Sequence, residues 1–253
     1  FTGSSATAVG SGAAAASVSD LRLTAVGQNA LAACNGGDNN TAVGMVAGDA
    51  ITTGNNNTCM GVWSLSEAAT DDNTAVGYYS LVNFTGSDAT AVGSGAASSA
   101  GSQADITAVG YQALNRATEG NSNTAVGAYC LDHTIDGTNN TAMGAAALSA
   151  DCVSNNVGIG YYALNVFTGS NATAVGSGAA DAATGASSLT AIGCNALGAI
   201  TDSSDCTAVG YQALQAIGTG SNQNTALGVN AGMSVGGGGV ATANTFVGHH
   251  AGL

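Results

Sequence analysis

A four-residue string, Thr-Ala-Val-Gly or a close variant of it, returns fifteen times along this chain at intervals of 16 to 20 residues. Such a sequence must fold as one small unit used repeatedly, each copy packing on the next. With the motif glycine of each repeat numbered zero, position −3 is Thr in fourteen copies and position −2 is Ala in twelve, replaced by Cys59, Gly158 and Phe246. Position −1 is aliphatic or Met in all fifteen: Val9, Val26, Val43, Met60, Val76, Val92, Val109, Val126, Met143, Ile159, Val175, Ile192, Val209, Leu227 and Val247. This rank is expected to be the structural core. Position +3 is small throughout and +4 is mostly Leu, so each repeat carries two apolar anchors, at −1 and +4.

A second period lies over the first. Phe-Thr-Gly-Ser opens the chain at Phe1 and returns at Phe84 and Phe167, so that five short repeats make one long repeat of 83 residues. The expected organisation is 1–83, 84–166 and 167–253, with the last two coils irregular. There the spacings widen to 18 and 20 around the run Gly236-Gly237-Gly238-Gly239, which reads as a loosened terminal coil.

Helical repeats need two segments of roughly ten residues or more per unit, and a unit of 16 or 17 residues has no room for them. Short strands fit. Side chains alternate along a strand, placing Thr at −3 and Val at −1 on one face and Ala at −2 on the other. Glycine allows a sharp bend, and tracts such as Gly36-Gly37-Asp38-Asn39-Asn40 supply a wider turn. The expected fold is all-β: a repeat β-solenoid, or parallel β-roll, of about fifteen coils. So thin a coil buries little apolar surface for the residues it orders. An intertwined or side-by-side homotrimer would supply the missing burial.

Composition narrows the function classes. Only 7% of residues are charged, lysine is absent, Arg22 and Arg116 are the only strong bases, and the formal net charge is −13. Phosphate neutralisation, and with it nucleic-acid binding, is thereby disfavoured. No apolar run reaches the roughly 18 residues that a membrane-spanning helix needs, so membrane insertion is not expected. The six cysteines, Cys34, Cys59, Cys130, Cys152, Cys194 and Cys206, occupy unrelated phases of the repeat and lack metal-type spacing. They read as small buried or incidental residues.

Several patterns imitate sites. Gly158-Ile159-Gly160-Tyr161-Tyr162-Ala163 spells a dinucleotide-binding string but lies in the repeat register, without the strand-then-helix context that chemistry requires. His133, His249 and His250 have no nucleophile and carboxylate in a catalytic order. Asp71-Asp72 and Asp202 to Asp205 read as solvated turns rather than calcium loops. Asn39, Asn56, Asn83, Asn139 and Asn171 begin Asn-x-Thr triplets, which turns entering a strand also favour. No catalytic residue, cofactor or metal site is assigned, and an enzyme is not expected. One candidate partner-binding feature remains, an aromatic stripe at +1 and +2: Trp63, Tyr78, Tyr79, Tyr111, Tyr129, Tyr161, Tyr162 and Tyr211. It can stack on sugars or pack between chains.

Thr107 to Leu114 and Thr207 to Leu214, both Thr-Ala-Val-Gly-Tyr-Gln-Ala-Leu, resemble repeats of phage tail-fibre proteins and are similar to the Ala-Ile-Gly head repeat of trimeric autotransporter adhesins. The resemblance implies a trimeric, left-handed parallel β-roll at a virion surface or in an extracellular fibre. The expected function is a structural fibre shaft or filament subunit whose partner is itself, as a homotrimer able to stack head to tail. A glycan- or receptor-binding adhesin section is the alternative. Ice binding through the Thr rank is a remoter one, because Thr shares its face with the Val expected to be buried.

Overall fold

The computed structural model describes residues 5–18, 22–235 and 239–252. The start of the first long repeat, at Phe1 to Ser4, and Gly236 to Gly238 of the glycine run lie outside them. The described residues form fifteen three-residue strands and no helix, in two compact units, Phe1–Asn123 and Thr124–Leu253.

Unit one holds β1 (Thr7–Val9), β2 (Thr24–Val26), β3 (Thr41–Val43), β4 (Thr58–Met60), β5 (Thr74–Val76), β6 (Thr90–Val92) and β7 (Thr107–Val109). Each strand pairs in parallel with the next, and the register sets Thr on Thr, Ala on Ala or Cys, and Val on Val or Met. Unit two holds β8 (Thr124–Val126), β9 (Thr141–Met143), β10 (Val157–Ile159), β11 (Thr173–Val175), β12 (Thr190–Ile192), β13 (Thr207–Val209), β14 (Thr225–Leu227) and β15 (Thr245–Val247), paired in the same way. Each unit is a parallel β-solenoid.

Hydrogen bonds run mainly from coil to coil. Around β2, the Gly27 and Asn29 amides donate back to Val9 O and Ser11 O, while Thr24, Leu31 and Ala33 donate forward to Asn40 O, Ala47 O and Asp49 O. The turn after each glycine alternates right- and left-handed backbone. Leu at +4 is left-handed in all nine coils that carry it, with φ between 48° and 53°. An L-residue pays about 1–2 kcal/mol for that conformation. Complete burial of the leucine and the cross-coil bond from its amide, as from Leu31 to Ala47 O, offset the cost.

The expected core rank is not the core. None of the fifteen residues at −1 is buried, and Met60, Met143 and Leu227 are 45%, 44% and 51% exposed. The strand alternation is as expected, but the face is reversed: Ala at −2 points inward and is fully buried from Ala25 to Ala226, while Thr and Val point out. The reason is width. A coil of 16 or 17 residues already holds Leu at +4 and a variable side chain near +7, such as Phe84, Ile51 or Phe167, and only a small group fits opposite them. The exceptions obey the same limit. Cys59 and Phe246 enlarge position −2, and a Cβ added at their +4 neighbours Gly48 or Gly232 would lie 3.1 Å from Cys59 Sγ or 2.8 Å from a Phe246 ring carbon. Gly158 empties the position, and Leu148 leans in, its Cγ 3.1 Å from where a Cβ would stand.

The interior also holds an amide ladder at −4. Asn40 Oδ1 accepts from the Asn57 amide at 2.9 Å, Asn57 Oδ1 accepts from the Asn73 amide and Nδ2 at 3.0 Å, and Asn73 Oδ1 accepts from the Ala89 amide at 3.1 Å. Their Nδ2 groups donate to Gly54 O, Thr70 O and Gly86 O. Backbone groups that the wide turn aims inward are thus satisfied without water. One residue earlier, Asn39 and Asn56 sit exposed with positive φ and donate to Asn56 and Asp72 respectively, so these Asn-x-Thr asparagines serve the turn.

None of the six cysteines is paired in a disulfide; five are buried and Cys194 is exposed. Burial pushes the Cys59 and Cys130 thiols up to about 12. A folded-state pKa above the unfolded one favours the protonated thiol, so the contribution is fully present below the ordinary value of 9.0 and lost as pH rises toward 12. Thermal melts are expected to show stability falling by about 2 kcal/mol for each of these two thiols over the first 1.5 pH units or so above that value. Cys59→Ala, which restores the usual residue of its rank, should make the decline shallower.

Candidate functional site

Turning the strands inside out creates the dominant surface of each unit. Thr at −3 and Val, Ile, Leu or Met at −1 form two parallel ranks on the outer face, repeated at the coil spacing of about 4.8 Å. Neither rank contains a charged residue, although the chain carries fifteen carboxylates. The carboxylates lie elsewhere, mainly in turns, where Asp71 Oδ1 accepts from the Asn55 amide at 2.7 Å and Asp202 Oδ1 from the Gly220 amide at 3.0 Å. An uncharged, partly apolar strip several coils long is unusual on a surface exposed only to water.

Beyond the motif glycine comes the aromatic stripe. Trp63, Tyr78, Tyr111, Tyr129, Tyr161, Tyr162 and Tyr211 are all exposed, and Tyr79 is half-buried. The structure gathers some of them. In unit one the Tyr78 and Tyr79 rings lie 4.3 Å apart, tilted by 50°, and Tyr79 meets Trp63 of the preceding coil at 6.2 Å. In unit two Tyr161 and Tyr162 pack edge to face at 4.3 Å, and His249 and His250 do the same at 3.9 Å in the equivalent position. A side-chain hydrogen bond with Tyr79 pushes the Tyr78 hydroxyl pKa up, and Tyr162 acts likewise on Tyr161.

Between the aromatic pair of one coil and Tyr111 two coils on, the stripe is interrupted by the small residues Ser94 and Gly95. A notch of about 260 Å³ opens there, lined by Tyr78, Tyr79, Ser94, Gly95, Ser98, Tyr111 and Gln112. Reading the repeat could not reveal it, because the stripe has similar gaps elsewhere. What differs is the next coil. At the equivalent glycines Gly12 and Gly178, an added Cβ would lie 2.2 and 2.5 Å from the amide oxygens of Asn29 and Asn195, which cover the site. At Gly95 it would meet only Gln112 Cγ, at 3.3 Å.

Among the described residues no group of three or more His, Cys, Asp or Glu side chains could share a metal ion. His133 Nδ1 lies 2.9 Å from Asp132 Oδ1. Gly158, Ile159 and Gly160 of the dinucleotide-like string are strand and motif-glycine positions of an ordinary coil, followed by a turn and not a helix. Compared with protein-family models, with curated proteins and with solved structures, the chain matches none.

Proposed function

We propose that this chain is a structural section of an extracellular or virion-surface fibre, a non-catalytic shaft in which three copies meet through their Thr-x-Val faces. The observation that carries the reading is the outward turn of the −1 rank. A rank kept aliphatic or Met in all fifteen copies, yet unburied by its own chain, is accounted for if another chain covers it. The two ranks are smooth and unbranched beyond Cγ or Cδ, so faces can approach closely, and closed rotational symmetry lets each copy use the same face. Head-to-tail stacking of copies into a filament is an extension of the same reading. The likeness of Thr107 to Leu114 and Thr207 to Leu214 to tail-fibre and adhesin repeats points the same way. Light scattering on the purified full chain, with electron microscopy of the same sample, tests it: a mass of three chains is expected, and a monomer at all concentrations overturns it.

The outward Thr rank also favours a second reading, ice binding, since the threonines form a regular, mostly half-buried rank beside the Val rank. That reading requires the face to stay uncovered. A monomer showing thermal hysteresis would establish it, and a trimer without hysteresis would exclude it.

A further inference from the structure

We propose that the notch over Gly95 is a binding site for a single uncharged sugar ring. Two observations make it a site rather than a gap. Equivalent positions in the other long repeats are covered by Asn29 and Asn195, whereas Gln112 carries its amide away and leaves the space above Gly95 open. The notch also has aromatic surface on both sides: Tyr78, braced by Tyr79, on one coil, and Tyr111 two coils further along. The intervening coil is held in place by hydrogen bonds from the Gly95 amide to Tyr78 O at 2.9 Å and from the Gln112 amide to Ser94 O at 3.0 Å.

The dimensions fit one ring. Two coil steps of about 4.8 Å separate the walls by roughly 9.5 Å. A ring contacting both needs roughly 7–8 Å, twice the best carbon–carbon contact distance. The volume of 260 Å³ falls just under the roughly 300 Å³ at which drug-sized pockets begin, which suits a monosaccharide unit and not a buried oligomer. The chemistry fits a neutral polyol. Aromatic faces take the C–H side of a pyranose, and the Ser94 hydroxyl offers a donor and an acceptor to its hydroxyls. No carboxylate lines the notch to hold a cation, and a chain with a net charge of −13 repels acidic sugars.

This site does not depend on the shaft reading, since it lies past the motif glycine and not on the Thr-x-Val face. The test is saturation-transfer NMR on the full chain with methyl β-glucopyranoside and methyl β-galactopyranoside as probes. Binding of at least one is expected, with a Kd of about 1 mM or somewhat weaker. Gly95→Gln fills the notch with the residue that Gln112 and Gln212 already place at this register position with positive φ, and Tyr111→Ser copies Ser94. Each should weaken binding roughly tenfold or more, with a cooperative melt retained, lowered in Gly95→Gln only by what a non-glycine residue costs at the Gly95 φ of 68°, and the light-scattering mass unchanged. No transfer from either sugar, or equal affinity in both variants, overturns the proposal. A change of mass in both variants would instead assign the notch to a contact between copies.

Discussion

Gly77→Ala is expected to cost about 3–5 kcal/mol and to remove most of the cooperative unfolding transition of unit one. Its φ of +135° lies in a region that only glycine populates readily, and an added Cβ would stand 2.5 Å from Gly93 O and 2.7 Å from Gly93 C. Neither atom can retreat. The Gly77 and Gly93 amides donate back to Met60 O and Val76 O at 2.7 and 2.8 Å, so moving one glycine breaks the stitching on both sides. Gly95→Ala is the control, with only Gln112 Cγ at 3.3 Å in its way, and should cost about 1 kcal/mol. Urea unfolding followed by circular dichroism reads both. Equal midpoints would show that the glycine ladder does not hold the coils together.

If three copies meet as proposed, replacing Val43 and Val76 together with lysine is expected to reduce the particle from three chains to one while leaving the coil intact. On a single chain Val43 is already 36% exposed and Val76 is only half-buried, so surface lysines there should shift stability by about 0.5 kcal/mol at most. Between faces the same lysines would be unpaired buried charges, each worth several kcal/mol against association. The parent's melting temperature should rise with protein concentration and that of the variant should not. A variant that retains the parent's mass would move the contact to another face.

Much of this architecture can be read from the repeat itself. Strand position, the in-register stacking of Thr on Thr, burial of the nine leucines at +4 and the turn chemistry of the Asn and Asp tracts all follow from spacing and residue type. Which face of the strand looks inward does not. Alternation only separates Thr and Val from Ala, and ranking by hydrophobicity selects Val, which is wrong for a coil too narrow to hold it. A subtler signal was present. The two residues that enlarge position −2, Cys59 and Phe246, each follow a coil whose +4 residue is Gly, Gly48 and Gly232, whereas position −1 varies among Val, Met, Ile and Leu without any such response. The notch was illegible for another reason: it depends on where the Gln112 side chain goes, not on the pattern of the stripe.

That size matching bears on a hazard peculiar to repetitive chains. Fifteen near-identical strands offer each other many false partners, and a strand paired one coil out of step would keep every backbone hydrogen bond. Side-chain volumes discriminate where the backbone cannot. Phe246 stacked one coil early would face a full-sized Leu214 without the room that Gly232 provides, and Cys59 stacked against Leu31 alone would lose the recess at Gly48. The irregular residues inside an otherwise monotonous sequence thus act as keys cut to individual locks, giving each coil an address and the growing stack a way to reject a turn laid down in the wrong order.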